Sequence, residues 1–141
     1  MVPLSVEAAF DAFVDAAHFH EWQRMVKRVV ELQGSTTVPG STYVLDHGIG
    51  GKLRVEVLNV ERPGLYRMRQ QGLGSDMTGT VRFVQVGDDL SQIRCTMELT
   101  VGRFTKWLRP PAGLVRKGIE DELSQFKKWV VRTHRTGRAP A

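Results

Sequence analysis

The stretch from residue 27 to residue 101 constrains the fold most, because its apolar side chains recur at every second position between turn signals. Such alternation places one face of a strand against a core and the other face in water. In the last piece of the stretch, for example, Ile93, Cys95 and Met97 share one face. Glycine, proline and aspartate turns divide the stretch into about six strands, at residues 27–33, 41–47, 52–60, 65–71, 77–86 and 91–101. Short turns between them predict an antiparallel meander with one covered face.

Helical patterns flank this stretch on both sides. Residues 5–17 repeat apolar side chains at helical spacing behind a candidate N-cap, Ser5, and a second short helix is expected at residues 19–25. A longer apolar stripe follows Pro110 and Pro111, and a helix over residues 112–133 would be about 33 Å long, enough to cross the sheet. We therefore predict an α+β fold in which a curved antiparallel sheet wraps around a long C-terminal helix.

Composition excludes several kinds of site. Cys95 is the only cysteine among 141 residues, so neither an internal disulfide nor a cysteine-rich metal site is possible. His18 and His20 cannot share a helical face and no ligand cluster surrounds them, so we expect no metal and no cofactor. No apolar run approaches the roughly 20 residues of a membrane span, and no leader pattern is present, so we expect a cytoplasmic protein without integral membrane association. One domain is expected at residues 1–133, followed by a disordered basic tail at residues 134–141.

Two motifs resemble the START-like superfamily, also called the Bet v 1-like or polyketide cyclase/dehydrase (SRPBCC-type) family. Residues 6–15 and the following His20-Glu21-Trp22 are similar to its apolar-aromatic first helix and short second helix, and residues 39–43 (PGSTY) are similar to its Pro-Gly-Thr-Tyr strand start. The resemblance extends over about residues 2–132 and implies a helix-grip fold. The family begins with a full strand, whereas only residues 1–4 precede the first helix here, so either the true start lies further upstream or the first strand is truncated. In the second case we expect a sheet edge able to form a homodimer.

The resemblance also implies a START-like ligand-binding domain, with a cavity between sheet and C-terminal helix for a small hydrophobic molecule such as a lipid or a polyketide. Inward strand positions and the helices supply the candidate ligand-binding residues, which are Trp22, Tyr43, Val55, Tyr66, Met68, Gln70, Met77, Val81, Phe83, Met97, Ile119 and Phe126. The tyrosines and Gln70 would orient the ligand, and the methionines suit an adaptable wall, although each of these side chains is also ordinary in a core.

Two further positions leave alternatives open. His47 is the candidate catalytic acid or base, because imidazole titrates near neutral pH, or else a loop residue beside the glycine-rich segment that contains Ile49 and Gly50, which we expect to gate the cavity. Glu122 sits one position from the apolar stripe, so it either reaches the cavity or faces solvent. Trp22 and Trp107 are expected where helices meet the sheet.

Three functions are compatible with the sequence: a carrier of a small hydrophobic ligand, a cyclase or dehydratase that uses the same cavity, and a binder of anionic surfaces or nucleic acid. The third rests on charge, because ten of the 20 Lys and Arg residues lie from residue 103 onward. Trp129, which lies among these cations, would either stack on bases or headgroups, or pack at a core edge. We expect no specific nucleic-acid partner.

Overall fold

The structure is a computed structural model, and it describes residues 1–23, 26–48, 51–72, 75–99 and 112–135. The described helices are α1 (Val6–Phe13), a 3-10 turn (Ala16–His18), α2 (Phe19–Trp22) and α3 (Ala112–Arg135). The described strands are β1 (Arg28–Gln33), β2 (Thr42–Asp46), β3 (Lys52–Glu61), β4 (Leu65–Gly72), β5 (Ser75–Gly87) and β6 (Leu90–Leu99).

Side chains at the helix ends account for most of the helix boundaries. Ser5 caps α1 as predicted, since its Oγ accepts a hydrogen bond from the Ala8 N–H at 3.3 Å. The helix ends at Phe13 rather than near residue 17, because Asp15 starts a separate 3-10 turn by accepting from the Ala17 N–H at 3.1 Å. At the other end of the chain, α3 continues to Arg135, two residues beyond the predicted end.

The six strands form one antiparallel sheet in chain order, β1 to β6, which is the predicted meander. Registers are interrupted within β1 and within β3, between Val57 and Asn59, and such irregularities increase the local bend of a sheet. Val2 forms a short antiparallel bridge to Ser91 at one end of β6, with N···O distances of 2.8 and 3.0 Å. The chain therefore adopts the helix-grip fold. The single bridge from Val2 to β6 stands where the family has a full first strand.

Aromatic side chains tie the helices to the concave face of the sheet. Phe13 on α1 lies at the centre, with its ring centroid 5.5 Å from Phe83 on β5, 5.2 Å from Phe126 on α3 and 5.2 Å from Trp22 on α2. Phe10 packs one turn earlier, 5.2 Å from Phe83. Edge-to-face pairs at these distances contribute about 0.5–1.5 kcal/mol each beyond burial, so this cluster fixes where α3 meets the sheet.

Several sequence expectations concern residues that the structure does not describe. They are Trp107, the helix start at Pro110 and Pro111, Ile49 and Gly50 of the expected gate, and residues 136–141 of the expected tail.

Candidate functional site

A cavity of about 240 Å³ lies between the concave face of the sheet and α3. It is bounded by α1 and α2 on one side, by β2, β3, β4 and β6 below, and by α3 above. Its volume is slightly below the range of about 300–1,000 Å³ usual for ligand pockets. The described residues that line it are Phe13, Val14, Phe19, Trp22, Gln23, Tyr43, Leu45, His47, Leu53, Tyr66, Met68, Gln70, Cys95, Met97, Ile119, Glu122 and Leu123.

Two methionines form an adjustable part of the wall. In the strand register Met68 of β4, Gly79 of β5 and Met97 of β6 stand side by side. A Cβ atom at Gly79 would lie 2.8 Å from the Met97 Sδ and 3.1 Å from the Met68 Cε, so the absence of a side chain there lets both thioethers meet over the strand. Because methionine is flexible, this part of the wall can adapt to the shape of an occupant.

Tyr66 brings an unsatisfied hydroxyl to the cavity wall. Its side chain is 2% exposed, and its hydroxyl makes no well-formed hydrogen bond within the described part of the chain. The Tyr43 hydroxyl on β2 nevertheless lies close enough to lower the pKa of Tyr66 slightly, against the larger effect of burial. Burial raises the pKa of Tyr66 to about 12 and raises that of Tyr43 well above its ordinary value. Both phenols are therefore protonated near neutral pH, and the Tyr66 O–H is available to donate to an acceptor atom in the cavity.

Trp22 offers a second unsatisfied donor on the wall. Its side chain is buried and its indole Nε1–H has no acceptor among the described residues. An unpaired buried donor costs about 1–3 kcal/mol, so both the indole and the phenol would be stabilised by an acceptor that enters the cavity.

Glu122 and Cys95 stand on opposite sides of the cavity, on α3 and β6. Glu122 borders the cavity and its side chain is also exposed to solvent, but many protein atoms lie around its carboxyl, and this partial burial raises the pKa of the carboxyl. Burial, and then the charge of Glu122, raise the pKa of the Cys95 thiol to about 11, so the thiol is protonated and a poor nucleophile near neutral pH.

His47 lies at the mouth of the cavity, directly after β2. Its backbone N–H donates to the Gly51 carbonyl at 2.8 Å, which holds the residue at the base of the loop, and its side chain is half-buried. The ring is therefore placed to meet a molecule in the cavity, although the structure assigns it no hydrogen-bond partner among the described residues.

The structure divides the twelve candidate ligand-binding residues into two groups. Trp22, Tyr43, Tyr66, Met68, Gln70, Met97 and Ile119 line the cavity together with His47. By contrast, Val55, Val81, Phe83 and Phe126 are buried in the core beside it, and Met77 is half-buried away from the wall. Whether the wall residues bind a ligand remains a prediction.

Sequence reasoning missed the contribution of the N-terminal helices to the wall. Phe13, Val14, Phe19 and Gln23 line the cavity although they were assigned only to helix packing. The signal was present in the apolar stripe of α1, whose last positions extend past the end of the helix. Glu122, which the sequence left open between cavity and solvent, borders the cavity and is also exposed to solvent.

Outside the cavity, a more open groove of about 560 Å³ runs along β1 and β2. Its walls include Glu31, Gln33, Thr42 and Arg54, so it is larger but mostly a polar surface depression. The cavity under α3 therefore remains the stronger candidate site, because it combines enclosure with unsatisfied donors.

Three other roles can be judged from the described part of the chain: stacking on bases or headgroups, metal binding and membrane spanning. Trp129 is 2% exposed and its ring packs 5.8 Å from His18, so it is not available to stack on bases or headgroups, and the core-edge alternative is confirmed. No three His, Cys, Asp or Glu side chains of the described ranges come close enough to hold a metal ion. None of the described helices is long and apolar enough to cross a bilayer.

Comparisons with known proteins show which family shares this sequence and fold. A sequence model of the family described as "polyketide cyclase / dehydrase and lipid transport" matches residues 1–130. No curated protein sequence matches the chain significantly.

Solved structures share the fold at low sequence identity. DynU16 from the dynemicin biosynthetic locus is 19% identical (TM-score 0.65), with 99% of this chain and 46% of that chain covered. A point mutant of norcoclaurine synthase from Thalictrum flavum, in complex with a transition-state analogue, is 15% identical (TM-score 0.65; 94% and 91% covered). The di-domain ARO/CYC StfQ of the steffimycin pathway is 16% identical (TM-score 0.67; 96% and 49% covered). The chain therefore spans about half the length of DynU16 and of StfQ.

Proposed function

Because the chain belongs to the polyketide cyclase/dehydrase and lipid transport family, we propose that it binds a small apolar molecule in the cavity between the sheet and α3. The observation that carries the proposal is an enclosed apolar space whose wall holds the unpaired Tyr66 hydroxyl. Ligand sites typically combine apolar walls with a few polar groups that set orientation. The cavity has this composition, with Tyr43, Gln70 and Trp22 as further polar positions.

The dimensions of the cavity favour a compact ligand. A volume of 240 Å³ suits one or two fused rings or a short acyl chain, such as part of a polyketide or a lipid. Burial of its apolar surface would supply most of the affinity, at roughly 25 cal/mol per Å². A ligand carbonyl oxygen that accepts from the Tyr66 O–H would add orientation and satisfy the unpaired donor.

Octanol, an uncharged molecule with a short chain, tests this proposal by isothermal titration calorimetry. We expect saturable binding to the unmodified protein and none to Met97→Trp, because the larger side chain fills the space between β6 and α3. Val84→Trp is the matched control, since Val84 is 40% exposed on β5, and it should bind octanol normally. Equal binding by both variants, or none by the unmodified protein, would contradict the proposal.

A cyclase or dehydratase function of the same cavity is the second candidate, because His47, Tyr66 and Glu122 line one space. In such a reaction a base removes the α-proton of one carbonyl, and the resulting carbanion forms a carbon–carbon bond to a second carbonyl of the same chain. The protonated Tyr66 phenol stabilises the new alkoxide, and loss of water completes the step. Recovery of a model poly-carbonyl compound unchanged after incubation would reject this function, and unchanged turnover in His47→Ala would remove that residue from it.

The remaining partner expectations stay predictions. A homodimer through the β6 edge and the lack of a specific nucleic-acid partner both require measurements in solution. The exposed cations of α3, which include Lys127, Lys128 and Arg132, are compatible with a charged surface that favours solubility.

A further inference from the structure

One carboxyl group faces the cavity without a cationic partner. On a helix, side chains can pair only with positions three or four residues away, which for Glu122 are Gly118, Ile119, Gln125 and Phe126. None of these four carries a positive charge, so none can neutralise a carboxylate. Glu122 therefore has no counterion along its own helix.

The elements that face α3 do not neutralise it either. On β6 the Cys95 thiol also borders the cavity, close enough for the charge of Glu122 to raise its pKa. Among the described residues that line the cavity, His47 is the one basic side chain, and no influence of it on the pKa of Glu122 is found. Lys117 and Lys127 of α3 are exposed and do not line the cavity. Within the described ranges, burial is the sole influence found on the pKa of Glu122, and it raises it.

Unlike Glu122, two carboxylates on the outer surface of the protein have arginine counterions. Asp11 pairs with Arg62 at 2.7 Å and Asp76 pairs with Arg69 at 2.6 Å, and these hydrogen bonds lower the pKa of both aspartates. Cations are abundant in the chain, whose formal net charge is +5. Even so, the carboxylate that faces the cavity has no such counterion within the described ranges.

Resting on the proposed function, we propose that the molecule bound in this cavity is an apolar amine whose protonated nitrogen pairs with the Glu122 carboxylate. A partly buried carboxylate without a counterion is stabilised most by a cation that also donates hydrogen bonds to it. An ammonium group meets both requirements, and its apolar remainder occupies the space over Met68 and Met97. The same carboxylate repels an anionic headgroup, so the cavity selects against fatty acids of equal length.

Three probes of equal chain length separate this inference from the proposed function: octylamine, octanol and octanoate. Binding is followed by nuclear magnetic resonance on the indole N–H of Trp22, which lines the cavity, with the buried indole of Trp129 as an internal reference. The variants are Glu122→Gln and its matched control Glu120→Gln. Glu120 lies on the same helix but does not line the cavity, so both changes remove one negative charge and only Glu122→Gln alters the cavity.

We expect octylamine to bind at least about tenfold more tightly than octanol, and octanoate to bind more weakly than both. Glu122→Gln should remove the preference for the amine while octanol binding is retained, and Glu120→Gln should keep it. Octanol binding without a preference for octylamine, or a preference that survives in Glu122→Gln, would overturn the inference and leave the proposed function standing. Failure of all three probes to move the Trp22 signal would overturn both.

Discussion

Removal of the Tyr66 hydroxyl should have opposite effects on the free and the ligand-bound protein. The hydroxyl is buried and makes no well-formed hydrogen bond in the described structure, where the Tyr43 hydroxyl approaches it without meeting that geometry, so it contributes little to the stability of the free protein. An unsatisfied buried group costs about 1–3 kcal/mol, and a water in the cavity would offset part of this cost. Tyr66→Phe should therefore leave the free energy of unfolding unchanged or raise it by up to about 1 kcal/mol, while it weakens binding of a ligand that accepts from the hydroxyl.

Thr36 provides the matched comparison, because its buried hydroxyl does have a partner. Its Oγ1 donates to the Val14 carbonyl at 2.7 Å and joins the loop before β2 to the end of α1. Thr36→Val keeps the shape of the side chain but leaves that carbonyl without its donor, which should cost about 1–2 kcal/mol. The two substitutions each delete one buried hydroxyl, but only Thr36→Val is expected to lower the free energy of unfolding.

Urea denaturation followed by tryptophan fluorescence measures both effects. With a typical slope of about 1–3 kcal/mol per molar urea, a change of about 1 kcal/mol shifts the midpoint by roughly 0.3–1 M. The midpoint should fall for Thr36→Val and hold or rise for Tyr66→Phe at an unchanged slope. A fall for Tyr66→Phe as large as that for Thr36→Val would refute the reasoning, because it would mean that the hydroxyl is hydrogen-bonded in the free protein.

Four further outcomes are expected. Burial raises the folded-state pKa of Glu122, so the folded protein holds this proton more tightly than the unfolded chain and loses stability as pH rises above the ordinary carboxyl pKa of about 4. Glu122→Gln should therefore gain stability relative to the unmodified protein once the pH is raised above about 4, and Glu120→Gln should not. Gly79→Ala should fold normally but displace the two methionine side chains into the cavity and weaken octanol binding, with retained affinity as the contrary result. Phe13→Ala should lower the free energy of unfolding by about 2–3 kcal/mol and Phe10→Ala by about 3–5 kcal/mol, because Phe13 already borders the cavity and Phe10 is fully buried. Equal losses in thermal or urea unfolding would contradict this. If the β6 edge pairs with a second copy, light scattering should give twice the monomer mass, and a monomer at high concentration would reject the dimer.

Most of the fold could be predicted from residue periodicity, because alternation and turn residues report directly on which side of a strand is covered. The predicted strands at residues 52–60 and 65–71 differ from β3 and β4 by one residue each. Helix ends were harder, since α1 ends where Asp15 begins a new turn, and a side-chain cap of this kind does not alter the apolar pattern.

The candidate site was only partly predictable, for a physical reason. Alternation shows that Val81 and Phe83 point inward, but not whether a helix covers them. In the structure Phe10 and Phe13 pack on that part of the sheet, whereas Met68 and Met97 border the space that the helices leave open. The position of a cavity therefore depends on where the helices pack on the sheet, and the alternation of residues along a strand carries no information about that packing.

The central claim is that a small apolar molecule occupies the cavity under α3, and the methionine methyl groups test it most directly. In protein labelled with carbon-13 at these methyls, titration with octanol should shift the Met68 and Met97 signals in a saturable way. Met1, which is exposed, should not shift. Unchanged Met68 and Met97 signals, or equal shifts at Met1, would contradict the claim.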